Sequence, residues 1–107
     1  MQNLFVYITF STIQEARTMG SKLLESRLAA CINILPGMES LYWWEDTIEK
    51  SDEIVLIAKT SSNLLEELTD FVKSHHSYSC PCIAVIPVGV GNADHFQWLA
   101  ENLKKKQ

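Results

Sequence analysis

Apolar positions fall along this chain in two rhythms, and the changes between them mark out its elements. Leu4 to Phe10 is dense in β-branched and aromatic residues, which predicts a buried strand. Thr12 and Glu15 then fit the S/T-x-x-E capping box, in which each side chain satisfies an orphan backbone amide. Ala16, Gly20, Leu23, Leu24 and Leu28 follow at helical spacing and predict a helix from about Ile13 to Arg27. Ala30 to Leu35 returns to strand character. Pro36-Gly37 interrupts it, as a bend or bulge would, and the strand resumes at Ser40-Leu41-Tyr42-Trp43-Trp44. The polar cluster Glu45-Asp46-Thr47 predicts a turn. Ile48 to Thr60 is the third strand, with Ile54-Val55-Leu56-Ile57 as its buried centre. Together these strands make one hairpin about twice the usual strand length of roughly 5–6 residues. Its outer half is expected to project past the helices.

Ser62 or Asn63 caps a second helix, whose residues Leu64, Leu65, Leu68, Phe71, Val72 and His75 form one stripe. Pro81 limits that helix and forces an extended approach to a fourth strand, Ile83 to Val88. Gly89-Val90-Gly91-Asn92 is a turn, and Asn92 caps a last helix through Phe96, Leu99 and Leu103. The order β-α-β-β-α-β plus a C-terminal helix predicts an α/β (α+β) fold. It is a ferredoxin-like split βαβ sandwich with a long hairpin between the second and third strands. Residues 1–107 form a single domain. Both helices of that pattern lie on one face of the sheet, so the other face needs a cover, and a partner subunit is the economical one.

Composition narrows the function classes. A chain of 107 residues that is 47% hydrophobic supports one small core. A net charge of -4 argues against non-specific nucleic-acid binding, which needs a basic face. The run Lys104-Lys105-Lys106 reads as a solvated helix end, where cations oppose the negative pole of the helix dipole. No apolar stretch approaches the roughly 20 residues that span a bilayer. The first residues lack the basic region and cleavage site of a signal peptide. Three cysteines without CxxC pairs point away from a disulfide framework and toward a reducing, cytoplasmic setting.

Two segments stand out chemically. Tyr42-Trp43-Trp44 places three large aromatics in succession on a strand, where side chains alternate faces, so at least one is expected to reach an exposed surface and serve an interface, the alternative being a hairpin that folds back and buries them all. The segment from His75 through His76 and Tyr78 to Cys80-Pro81-Cys82 gathers imidazole and thiol groups, which suit copper or zinc. It reads either as a metal site or as a plain helix-to-strand connection, with His75 as a partly buried packing residue. Cys31 reads as a small buried hydrophobe or as a functional thiol. Glu39, Glu45, Asp46, Glu49, Asp52 and Glu53 make the hairpin acidic, without a recognised calcium-ligand spacing, and read as a solvated face. No catalytic triad or nucleophile elbow is present, and the loop after the first strand lacks the arginine a phosphatase of this topology would need.

Ala30-Cys31-Ile32-Asn33-Ile34-Leu35-Pro36-Gly37, followed by Glu39-Ser40-Leu41-Tyr42-Trp43-Trp44, resembles the signature of the CutA divalent-cation tolerance family. Thr9, Lys59-Thr60, His76-x-Tyr78-x-x-Pro81, Pro87-Val88 and the Asn92 to Trp98 region fall in the family's order. The resemblance implies a homotrimer of ferredoxin-like subunits, similar in architecture to PII-type signalling proteins, with the long hairpins paired between subunits. It further implies copper or another divalent metal as ligand, contributing to the response to metal ions. Family metal proposals map onto Cys31 and His76, and the Tyr42-Trp43-Trp44 segment onto the trimer interface. The chain departs from the family at Ser79 and Cys82, positions that often carry carboxylates, and sulfur there favours softer ions such as Cu(I). The expected metal residues are therefore Cys31, His76, Cys80 and Cys82, in a non-enzymatic protein with no nucleic-acid or membrane partner. The alternative is a PII-like trimeric scaffold that binds a small-molecule effector or a partner protein.

Overall fold

Alternation along the first strand decides which side of the sheet becomes the core. In β1 (Asn3–Phe10) the side chains of Val6, Ile8 and Phe10 are fully buried, while Phe5 and Tyr7, pointing the other way, stay half-exposed. The structure, a computed structural model, describes residues 2–105, so Lys106 lies outside the described residues. After β1 the chain runs through α1 (Ile13–Glu25), β2 (Cys31–Trp44), β3 (Thr47–Ser61), α2 (Leu65–His75), β4 (Ile83–Pro87) and α3 (Ala93–Asn102). The strands form one antiparallel sheet in the order β2-β3-β1-β4. This is the expected ferredoxin-like arrangement with its long hairpin and C-terminal helix.

Antiparallel partners share a face, so the register carries the alternation across the sheet. Val6 pairs with Ala58, and Ile8 with Leu56, which in turn pairs with Ile34. These residues meet Ala16, Met19 and Leu23 of α1 and Leu68 and Val72 of α2 in one core. Helix α1 lies so close to the sheet that a Cβ on Gly20 would come within 2.9 Å of Ile32 Cγ2. The opposite face presents Tyr7, Ile57, Leu35 and Ile86, and Leu35 and Ile86 remain 51% and 46% exposed.

The expected bend at Pro36-Gly37 is a bulge inside one continuous strand. Leu35 pairs with Val55 and Met38 with Glu53, so β2 carries one residue more than β3 between these pairs, and Gly37 takes φ +80. The extra residue restores the alternation rather than inverting it: Met38, Ser40, Tyr42 and Trp44 stay on the open face with Leu35. Glu45 and Asp46 close the hairpin with φ 48 and 64. Positive φ at both central residues is the geometry whose twist matches the two strands it joins.

Three local expectations are corrected. Thr12 does cap α1, its Oγ1 accepting from the Glu15 N–H at 3.1 Å, but the capping box is only half made. The Glu15 carboxylate turns instead to the Ser77 N–H at 2.8 Å and ties α1 to the loop after α2. Helix α1 stops at Glu25, because Arg27 takes a left-handed φ of 58 and the Leu28 and Ala29 amides both return to the Leu23 carbonyl. His75 is not packed into the core. Val72 is the last buried residue of the stripe, and the His75 ring lies exposed against Phe71 with centroids 4.2 Å apart. A polar ring in a last helical turn can cover an apolar neighbour while its nitrogens stay near water.

Candidate functional site

The open face of the sheet ends in a cavity of about 640 Å³, where β1 leaves the sheet and the hairpin arm departs from it. Thr9 and Ser11 close its inner end, and Tyr42, Trp44, Glu49 and Glu53 come from the hairpin. The loop after α2 adds Tyr78, Cys80 and Cys82. The bulge explains the hairpin's share, since it keeps Tyr42 and Trp44 on the open face. Trp43 points the other way beside Ile48, beyond the helices, and is 72% exposed.

His76 fixes the loop that forms the third wall. The Tyr78 backbone N–H, which can only donate, reaches His76 Nδ1 at 3.0 Å. The ring proton therefore sits on Nε2, which donates to the Thr9 carbonyl at 2.8 Å. The imidazole also stacks on fully buried Phe10, centroids 4.5 Å apart. Tyr78 then extends across the cavity and its hydroxyl donates to Glu53 Oε2 at 3.1 Å. Burial, followed by the charge and hydrogen bond of Glu53, raises Tyr78 above the ordinary tyrosine value of 10.0. Tyr7, whose hydroxyl meets Met38 Sδ at 3.2 Å, is raised by burial first and then by the nearby charges of Cys82 and Glu53. Both phenols stay neutral donors at physiological pH.

The sequence-predicted metal residues fall in separate places. Cys80 and Cys82 line the cavity as free, exposed thiols. His76 stands behind the wall with both nitrogens occupied, so neither offers a lone pair in this arrangement. Cys31 pairs with Lys59 at the other end of the sheet, on the opposite edge strand from Cys82. From Phe5 to Thr9 along β1 and across three strand spacings, the backbone separation is about 20 Å at about 3.3 Å per residue and 4.8 Å per strand. Among the described residues no three His, Cys, Asp or Glu side chains converge to hold a metal ion. The expected quartet is therefore not one centre within a chain. Glu49 stays exposed, as a solvated face predicts, while Glu53 is half-buried, and both line one wall of the cavity. Their i, i+4 spacing on a strand was the available signal, whereas nothing local marks Thr9 as part of the site.

The chain matches the family described as CutA1 divalent ion tolerance protein over residues 4–102. A divalent-cation tolerance protein CutA of Archaeoglobus fulgidus is 42% identical over 100 residues, covering 94% of this chain and 97% of that protein. The rice chloroplastic protein CutA 1 is 35% identical, and the match spans 96% of this chain and 58% of that protein. The crystal structure of CutA1 from Oryza sativa superposes with a TM-score of 0.96 at 34% identity, covering 99% of this chain and 97% of that one. The divalent cation tolerance protein of Thermus thermophilus gives 0.92 at 37% identity, with 95% and 99% covered. One solved relative is named as periplasmic and another relative as chloroplastic, so the family does not fix a compartment. The Archaeoglobus and Thermus relatives are named for tolerance of divalent cations and not for a reaction. Matched by the family over residues 4–102 and by a relative 42% identical along nearly its whole length, this chain belongs to the CutA1 divalent ion tolerance protein family.

Proposed function

We propose that the chain works as a homotrimer in the response to metal ions and that its open-face cavity takes copper or another divalent cation. The observation that carries the reading is the cavity's lining. Cys80 and Cys82 face the same space as Glu49 and Glu53, and among the described residues no lysine or arginine lines it. Two thiolates are soft donors that favour Cu(I), and carboxylates accept harder ions. The half-exposed apolar face of the sheet and the exposed Leu41, Trp43 and Ile48 on the far side of the hairpin support assembly, because patches of this kind are ordinarily covered by another subunit. The three free cysteines support a reducing, cytoplasmic setting. Cys31 and His76 contribute in this reading only if a neighbouring subunit or a rearranged loop brings a ligand to them.

Native mass spectrometry of the reduced protein, with and without stoichiometric copper, tests both halves. A trimer that takes up an integral number of copper ions per chain, and loses them in the Cys80→Ser/Cys82→Ser variant, supports the reading. Loss in Cys31→Ser alone moves the site to the family position. A trimer without copper leaves the second reading, a PII-like scaffold for a small-molecule effector, which the Tyr42 and Trp44 rings in the cavity favour.

A further inference from the structure

The loop between α2 and β4 is pinned at both ends and free between them. At one end the Tyr78 N–H donates to His76 Nδ1 and the Tyr78 hydroxyl to Glu53. At the other, Ile83 pairs with Ile8 in the sheet. Among the described residues, no hydrogen bond reaches the backbone of Ser79, Cys80, Pro81 or Cys82, and Pro81 has no N–H to offer. Two exposed, free thiols sit on this bridge with one residue between them, and both line the same cavity. Residues i and i+2 of an extended segment lie about 6.6 Å apart at about 3.3 Å per residue. A disulfide needs about 4.4–6.8 Å between Cα atoms, so the pair stands at the long edge of that range and a slight bend closes it. Cys31, about 20 Å of backbone away at the far end of the sheet, is out of reach of both.

We infer that Cys80 and Cys82 form a reversible redox switch, a dithiol at rest that closes to an intramolecular disulfide on meeting a small-molecule disulfide such as oxidised glutathione. One cysteine thiolate attacks a sulfur of oxidised glutathione, forming a mixed disulfide and releasing one glutathione thiolate. The second cysteine thiolate then attacks the cysteine sulfur of that mixed disulfide, forms the bond between Cys80 and Cys82 and expels the other glutathione. Two thiols lose two protons and two electrons, and one oxidised glutathione becomes two reduced ones. The unpaired backbone of the bridge takes up the bend without breaking the sheet at Ile83 or the anchor at Tyr78. A disulfide that bends its backbone and stands in solvent is easily reduced again, as regulatory disulfides are and structural ones are not. Closure also withdraws both soft donors from the cavity; that consequence rests on the copper reading, and the disulfide itself does not.

Incubation of the intact, reduced protein with oxidised glutathione, followed by acid quench, alkylation and tryptic digestion, tests it. Cleavage after Lys73 and Lys104 keeps Cys80 and Cys82 in one peptide, 74–104, and leaves Cys31 in another. The expected product is that peptide lighter by two hydrogen atoms, free of glutathione and restored by dithiothreitol. Cys80→Ser and Cys82→Ser are each expected to stop at the mixed disulfide, because no second thiol resolves it, and Cys31→Ser to behave as wild type. An unoxidised wild-type peptide, a wild-type peptide that keeps glutathione as the single variants do, or a cross-link between two chains overturns the inference. Copper uptake by the reduced and the oxidised protein, read in parallel by native mass spectrometry, separates this inference from the function proposed above. A reduced protein that takes no copper sinks the metal reading, while the peptide mass alone decides the switch. An oxidised protein that takes as much copper as the reduced one overturns the withdrawal of donors.

Discussion

His76→Ala separates two roles for the histidine by its effect on the metal-free protein. As a metal ligand the ring would be dispensable without metal. In this structure it is a structural bridge, making two hydrogen bonds and a ring stack that join β1 to the loop after α2. Each hydrogen bond contributes about 1 kcal/mol net. The aromatic stack adds about 0.5–1.5 kcal/mol. The substitution also leaves the half-buried Thr9 carbonyl and Tyr78 amide to find water. The expected loss is about 2–4 kcal/mol, the sum of these contributions. Urea unfolding of wild type and variant at one protein concentration, with chelator present, measures it as a lower midpoint at unchanged slope. A loss under about 0.5 kcal/mol, the range of ordinary surface substitutions, would refute the bridging role.

Three further outcomes follow from the geometry. Gly37→Ala is expected to cost about 1 kcal/mol, because a Cβ there meets nothing within 4 Å and the only penalty is its φ of +80; an unchanged unfolding midpoint would contradict this. Thr60→Val is expected to stabilise the protein by about 1 kcal/mol, since Thr60 Oγ1 is buried without a hydrogen-bond partner and valine keeps the shape; a lower midpoint would mean the hydroxyl is satisfied. Glu53→Gln is expected to lower the pH at which both Tyr78 and Tyr7 ionise in an ultraviolet titration of phenolate, because its charge raises both. The linked stability has a definite sign. A phenol raised above 10.0 keeps its proton in the folded state after the unfolded chain has released it. Its contribution is complete below that pH and is lost as pH rises through the folded value, so the wild-type protein should lose stability above about pH 10 and the Glu53→Gln variant should lose less.

The sequence by itself determined the element order, because each element is specified by contacts between near neighbours. Leu4 to Phe10, the Ala16-Gly20-Leu23 face and the Leu68-Val72 stripe announce their periods locally, and the helices and strands formed where those periods ran. The Pro36-Gly37 bulge and the aromatic arm were also legible, since proline and glycine act through their own backbone. The errors sit where a side chain had two available partners. Glu15 could return to its own helix, as the capping box requires, or reach Ser77, and only the folded chain brings Ser77 near it. His75 continued an apolar stripe in the sequence, yet the burial it implies ends with Val72.

The site was decided by tertiary structure. Cys31 and the loop cysteines belong together by residue chemistry, but strand order places them on opposite edges of the sheet. Glu49, Glu53, Tyr42 and Trp44 share a wall because one extra residue in β2 preserves the alternation through the bulge, a matter of register between strands. Thr9 joins them through β1, which lies beside β3 although more than 40 residues separate Thr9 from Val55 in sequence. Periodicity tells a residue which face it occupies; only the pairing of distant strands determines which other residues stand on that face beside it.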